Sequence, residues 1–402
     1  MKHKYNPFKP GSIVHPGMFS GRVNEINSIE SYLFQTIRGN PQHFLIQGER
    51  GIGKSSLILY SKYLAEQVFV EENGFDILTF KIDLENNYTV ANIVNKIIKE
   101  LKISIDSKSF LGKQKQDVLN FFKKIETSYF SYKEQKLDNY EVINNLALLL
   151  KKCLSKEENK GIFILVDEDD KPQASANLGA LLKLLSEKLT ELGCNRVCFG
   201  LAGLPETIDR LREGHESVVR IFHVLKLKIL SLEERLSVID IGIKEACEKG
   251  RSIKIDKKAK ENIAKFSEGY PYFLQQFAYN SFEEDKDDYI DLDDVERGIF
   301  DKNKEALKQL GEKLFNNIMY NQISSEDYRQ LLYFMAVSSE VWFSRKSIIE
   351  KLSKHMKEYT INNALKALKD KGIIIVSRNR GEYKLPSLSF KVWLSMICNN
   401  NL

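Results

Sequence analysis

Residues 48–56 read GERGIGKSS and directly follow the apolar run HFLIQ at 43–47. GERGIGKS fits G-x-x-x-x-G-K-[ST] at every position, and an amphipathic segment, SSLILYSKYLAEQVF, comes next. The order strand, loop, helix is what makes the motif specific. Glycines let successive backbone N–H groups turn inward around phosphate oxygens, and a helix N-terminus adds partial positive charge. Lys54 is placed to reach the β/γ-phosphates and Ser55 to coordinate magnesium. The candidate nucleotide cradle is therefore the whole loop: Gly48, Glu49, Arg50, Gly51, Ile52, Gly53, Lys54, Ser55 and Ser56. The plain alternative is a flexible glycine loop with a solvated lysine, and the flanking strand and helix argue against it.

A nucleotide site of this kind needs an acidic residue at the end of another buried strand. GIFILVDEDD (161–170) supplies it after a continuous apolar run suited to a strand buried on both faces. Asp167 is the candidate magnesium holder and Glu168 the group that polarises the attacking water. Read blandly, DEDD is only an acidic turn that ends a strand.

Working outward, a helix is expected over about 24–38, a second strand in FDILTFKID (75–83), and a helix through VANIVNKIIKELK. Residues 105–140 are polar and lysine-rich and read as an insertion with helical pieces. EVINNLALLLKKCL, LGALLKLLSEKLTELG and RVCFGLAG (196–203) continue as helix, helix and strand, so a parallel α/β sheet is expected. Past about residue 230 the strands stop. LEERLSVIDIGIKEACEKG, KKAKENIAKFSEG and PYFLQQFAYNSF read as three helices. An acidic break, EEDKDDYIDLDD, then precedes a long helical stretch at 295–320. Residues 325–398 show three short helices, IIIVSR, the turn NRGE and YKLP, the pattern of a winged helix. The expected domains are a nucleotide-binding domain at 1–230, a helical lid at 231–322 and a winged helix at 323–402.

Composition fits this division. A chain of 402 residues exceeds one ordinary core, and 43% hydrophobic with 29% charged residues describes a globular protein. The net charge of +5 is mild, but from Ser325 onward 13 Lys and Arg face 7 Asp and Glu. The basic excess thus lies in the C-terminal fifth. Cys194 and Cys198 flank or enter a buried strand and read as small core residues, and no cysteine spacing suggests a metal site. No stretch approaches the roughly 18 apolar residues of a membrane span, and MKHKYNPFKPG carries no apolar signal region, so a cytoplasmic protein is expected.

On these motifs the chain resembles AAA+ ATPases of the origin-recognition-like branch, close to the signal-transducing STAND ATPases. NPFKPGSIVHPGMFSGRVNEI resembles the lead-in P…F-x-G-R-x-x-E, with Phe19, Gly21, Arg22 and Glu25 at its fixed positions. In that group the segment lies against the base. RVCFGLAGLPE resembles the sensor strand, ESVVRIF the segment carrying an arginine finger, and EGYPYFLQQFA the lid motif G-x-P. The resemblance implies a P-loop parallel sheet of AAA+ type, an all-helical lid and a C-terminal winged helix. It implies ATP and Mg2+ as ligands, Arg220 as a catalytic finger beside Lys54 and Glu168, and Pro271 near the nucleotide. Arg210 and Arg212 compete for the finger role, and a locally paired surface arginine is the other reading of Arg220. A finger acting in trans requires a homo-oligomer. Two departures matter: the sensor strand ends in LAGL without a polar side chain, and Tyr272 stands where a lid arginine faces the γ-phosphate. Glu168 argues for hydrolysis and these departures for low turnover, with nucleotide acting chiefly as a conformational switch.

In TINNALKALKDKG, Ile361, Leu365 and Leu368 share one face with Ala364, and Asn362, Asn363, Lys366 and Lys369 face away. Asparagine can read adenine edges and lysine meets phosphate, so this helix suits a major groove. Arg378 and Arg380 at the wing tip suit the backbone or minor groove. Double-stranded DNA is one expected partner. The competing reading makes the winged helix an intramolecular lock or a protein-binding module, as in a regulatory ATPase of signalling or phage-defence type. His355 is a surface histidine or a contact to a bound diphosphate.

Overall fold

The computed structural model describes residues 5–10, 21–49, 51–66, 77–85, 88–107, 139–154, 161–167, 177–300, 311–377 and 381–400. Phe19, Arg50, Glu168, Arg378, Arg380 and most of the lysine-rich insertion lie outside them. The chain forms two compact units, one of residues 13–228 and one of residues 1–12 with 229–402.

The first unit runs α1 (Val23–Ile37), β1 (His43–Gln47), α2 (Lys54–Ala65), β2 (Leu78–Asp83), α3 (Val90–Ser107) and α4 (Asn139–Leu154). It continues with β3 (Ile162–Asp167), α5 (Leu178–Glu191), β4 (Val197–Gly203), α6 (Thr207–Gly214), a 3-10 turn (Glu216–Ile221) and β5 (Phe222–Lys226). The strands form one sheet in the order β2-β3-β4-β1-β5, with every pairing parallel. Every residue of β1, β3 and β4 is buried, which is why each reads as an unbroken apolar run. Leu101 of α3, Leu146 and Leu150 of α4 and Leu185 of α5 join Phe80, Ile164 and Phe199 in one core cluster. Cys194 and Cys198 are both buried. The parallel α/β architecture expected from the motif order is present.

One strand of this sheet escapes a sequence reading. β5 lies at the edge beside β1, and its His223, Val224 and Lys226 are exposed. An edge strand with so little burial has neither an apolar run nor a clean alternation to announce it.

The second unit contains α7 (Leu232–Glu248), β6 (Lys254–Ile255), α8 (Lys257–Phe266), α9 (Pro271–Glu284), β7 (Tyr289–Ile290) and α10 (Leu292–Phe300). α7 begins at a capping box made by Ser231 and Glu234, and α8 at an Asp256 side-chain cap. Strands do not stop at 230: β6 pairs with β7 in parallel. Two-residue strands carry no periodicity. α10 starts inside the acidic break, because Asp293 and Asp294 suit a first helical turn. Of the helical stretch expected at 295–320, residues to Phe300 are helix, 301–310 lie outside the described residues, and π-helical turns follow at Gly311–Phe315 and Asn317–Gln322. A Cβ at Gly311 would fall 1.7 Å from Trp393 Nε1, so only glycine admits the tryptophan there.

The winged-helix part comprises α11 (Glu326–Val337), β8 (Phe343–Ser344), α12 (Arg345–Leu352), α13 (Glu358–Asp370), β9 (Ile375–Val376), β10 (Glu382–Lys384) and α14 (Leu388–Asn400). Its sheet is antiparallel in the order β8-β10-β9. β8 and α14 are additions to the expected pattern. α14 brings Phe390 and Trp393 onto Phe315, with ring centroids 4.9 and 5.3 Å apart. Lid and winged-helix residues share one continuous hydrophobic core, from Phe273 and Phe277 to Met335, Ile361 and Leu394.

The lead-in segment divides. Residues 5–10 belong to this helical unit, where Phe8 packs against Gly242 of α7 and edge-on to Phe282 of α9. Gly21 and Arg22 belong to the unit that carries the glycine loop. No helix among the described residues is long and apolar enough to cross a membrane.

Candidate functional site

β1 delivers the glycine loop at the C-terminal end of the parallel sheet. Gly48 N–H extends the ladder by donating to Gly203 O at 3.2 Å, and the chain then turns through Gly51 (φ 79°) and Gly53 (φ 99°). Positive φ at both positions is what glycine tolerates and most residues do not. A Cβ at Gly48 would meet Ile52 Cγ2 at 2.8 Å and Leu227 Cβ at 3.3 Å, so the loop base is closed to side chains. Ile52 is buried and anchors the turn, whereas Glu49 and Gly51 are exposed. Gly53 caps α2 without any side-chain hydrogen bond, and Lys54, Ser55 and Ser56 form its half-buried first turn.

Lys54 Nζ folds back onto the loop and donates to Gly48 O at 2.8 Å and Glu49 O at 3.0 Å. The ammonium is therefore held at the loop. Arg22 supplies a clamp that sequence reasoning found only as a family position. It caps α1 in the left-handed region (φ 70°), is nearly buried, and donates from Nη2 to Ile52 O at 3.1 Å. Its Nη1 stands 3.7 Å from Glu25 Oε1, so the lead-in pair is an ion pair beneath the loop. The donor set fits a nucleotide phosphate: a glycine turn, a helix start uncapped by any side chain, and a lysine ammonium.

Asp167 closes β3, is 5% exposed, and pairs in register with Ala202 of β4 and Asp83 of β2. Asp167 and Gly48 thus both sit at the C-terminal end of one sheet, with β4 between their strands. A carboxylate and the Ser55 hydroxyl are oxygen donors, the chemistry magnesium prefers. Lys81, a residue not singled out from the sequence, lies 3.0 Å from Asp167 Oδ2 and 2.9 Å from Asp83 Oδ1. Burial alone would lower the Lys81 ammonium, but the Asp167 and Asp83 carboxylates outweigh it and raise its pKa. The available signal was the i, i+2 spacing of Lys81 and Asp83, which puts both on one face of β2.

The end of β4 is apolar, as read from LAGL. Here Gln47 of β1 is the buried polar side chain, and its Nε2 donates to Pro205 O. Arg220 is exposed at the end of the 3-10 turn. Arg212 is bound to Asp209 at 2.8 Å, and Arg210 is exposed on α6. Pro271 opens α9 in the other unit, after Gly269 with φ 86° and before a half-buried Tyr272.

On the winged helix, Ile361, Ala364, Leu365 and Leu368 are buried and Lys366 and Lys369 exposed, whereas Asn362 and Asn363 are half-buried. Arg345 Nε donates to Asn362 Oδ1 at 2.8 Å, and its backbone N–H donates to Gly381 O at the base of the wing. Arg345 therefore joins this face, and Asn362 is already engaged through its oxygen. Beside it, Lys384 Nζ lies 4.9 Å over the Trp342 ring. His355 is exposed.

No family model matches the chain. Over 256 residues, 61% of the chain, it is 27% identical to an uncharacterised HTH-type transcriptional regulator of Methanocaldococcus jannaschii. That match spans 58% of the relative's length. The Aeropyrum pernix ORC2 protein, solved as ADPNP–ADP complexes, superposes with a TM-score of 0.60 at 14% identity, covering 99% of this chain and 97% of its own. Its ADP form superposes with a TM-score of 0.52 at 14% identity, over 98% and 96%. The origin-recognition-like AAA+ fold expected from the motifs is the fold of this chain.

Proposed function

We propose that this chain is a cytoplasmic switch ATPase that binds ATP with Mg2+, hydrolyses it slowly, and engages double-stranded DNA through its winged helix in a nucleotide-dependent way. The observation that carries the reading is the Gly48–Ser56 loop itself, turned at Gly51 and Gly53 and clamped by Arg22 at one end of a parallel sheet that also ends in Asp167. The ADPNP and ADP complexes of the Aeropyrum pernix ORC2 protein support nucleotide binding, and the regulator name of the archaeal relative supports DNA.

Bound magnesium would neutralise charge on the phosphoryl oxygens. Lys54 stabilises the β/γ-phosphates, and the Ser55 hydroxyl and Asp167 carboxylate hold the metal. Glu168, next in the chain, orients the attacking water and takes its proton. Ala202 and Gly203 end β4 without a polar side chain, so the end of this strand offers no group to align the water. Slow turnover follows. Arg220, exposed before β5, is the finger that a second copy would receive, which makes the ATP state a homo-oligomer.

The test compares wild type and Lys54→Ala for ATP binding, ATP hydrolysis and size with ATP or ADP. Wild type should bind and assemble with ATP, and Lys54→Ala should do neither; equal behaviour refutes the nucleotide reading. DNA engagement is tested by a salt-dependent shift assay with and without ATP. Charge reversal at Lys366, Lys369, Arg378 and Arg380 should abolish the shift with nucleotide binding intact, and no shift at low salt refutes DNA. One observation favours a protein partner instead: Val337, Val341 and Trp342 are 56%, 65% and 40% exposed beside the small sheet.

A further inference from the structure

Asp83 and Asp167 are registered neighbours on β2 and β3, so two carboxylates face the same way about 4.8 Å apart at the backbone. Lys81, two residues before Asp83 and on the same face of β2, bridges them at 2.9 and 3.0 Å. The two acids differ in setting: the Asp167 side chain is 7% exposed and that of Asp83 58%. A cation that takes charge from Asp167 therefore meets an ammonium already lying on its Oδ2, and the repulsion between the two opposes its binding. Asp83 is the place to which that ammonium can withdraw, because it already accepts from Lys81 and stands at the solvent side.

We propose that Lys81 is the resident counter-cation of Asp167 in the metal-free protein, and that the Lys81–Asp83 pair sets the magnesium concentration at which nucleotide is held. The inference rests on the reading of Asp167 as the metal-holding carboxylate. Lys81 is a positioning residue: it acts through Asp167, keeping a buried carboxylate compensated until the metal arrives. Removing the ammonium leaves two carboxylates facing one another and strengthens the site's pull on a divalent cation. Removing the Asp83 charge confines the ammonium to Asp167 and weakens that pull. The two variants thus move the same quantity in opposite directions, which damage to the fold would not do.

The experiment titrates Mg2+ into a fixed concentration of protein and a fluorescent ADP or ATP analogue, with parallel affinities measured in EDTA. Lys81→Met should lower the Mg2+ midpoint roughly fivefold, the scale of a partly exposed ion pair, and Asp83→Asn should raise it by a similar factor. Lys81→Gln, which keeps a hydrogen-bond donor without the charge, should follow Lys81→Met and serves where methionine impairs folding. Melting temperature without nucleotide or metal should fall for Lys81→Met, since the ion pairs from Lys81 to Asp83 and Asp167 are lost. Midpoints that stay at the wild-type value, or shift together, overturn the inference while nucleotide binding stands. Wild type that binds no nucleotide at any Mg2+ concentration overturns the proposed function and this inference with it.

Discussion

Alanine at Gly242 should undock the N-terminal strap, and removing Phe8 should make that alanine harmless. A Cβ built at Gly242 lies 2.4 Å from Phe8 Cε1 and 2.6 Å from Cζ, closer than carbon atoms approach. Gly242 is buried in α7, so the ring must leave its place, where it is 2% exposed and edge-on to Phe282 at 6.1 Å. Loss of a fully buried phenylalanine costs about 3–5 kcal/mol in a core. Here the cost is capped below that range, because the lid can stay folded with residues 5–10 released and their backbone freedom regained. We expect about 2 kcal/mol for Phe8→Ala on that balance. Gly242→Ala should cost about 1 kcal/mol, since helical glycine-to-alanine returns about 1 kcal/mol of propensity. The double variant should then lie about 1 kcal/mol above Phe8→Ala in stability, with a coupling near 2 kcal/mol. Urea unfolding measures the cycle. Hydrogen exchange at the Lys9 amide, which donates to Gln275 Oε1 at 2.9 Å, reports the strap directly. Additive losses, or a protected Lys9 amide in Gly242→Ala, would refute the reasoning.

Three further outcomes are expected. His43 is buried, accepts from Phe199 N–H at 3.2 Å, and has its pKa lowered to about 4, by burial first and His223 second. A depressed folded pKa contributes stability that is present above the unfolded value near 6.5 and lost as pH falls toward 4, by about 3 kcal/mol in all. The urea midpoint of wild type should therefore fall more steeply across that window than that of His43→Phe, and equal slopes would contradict this. Gly200→Ala in β4 would place a Cβ 2.7 Å from Phe44 Cζ and 2.9 Å from Phe163 Cε2, so about 1–3 kcal/mol of overpacking should appear in denaturant melts. Arg22→Asn tolerates the left-handed backbone but cannot reach Ile52 O, so ATP-analogue affinity should drop about tenfold, the scale of a lost charged hydrogen bond. Unchanged affinity would remove Arg22 from the loop's support.

The sequence by itself determined the glycine loop, the acidic end of FILVD and the order of buried strands and amphipathic helices. Each is a local property: loop chemistry follows from glycine φ and residue type at fixed spacing, and strands buried on both faces must be apolar throughout. Elements with little burial or little length were not legible. β5 is an exposed edge, while β6, β7 and β8 are two residues each and exist only because a distant partner completes their hydrogen bonds. Tertiary structure alone decided what sits across from what. Register brought Asp83 opposite Asp167 with Lys81 between them, and packing carried Arg22 under Ile52, Arg345 onto Asn362 and Phe8 onto Gly242. These contacts join residues far apart in the chain, so composition and periodicity carry no trace of them. The phosphate loop is written in consecutive residues, but the charges around its acidic partner are set by strand register.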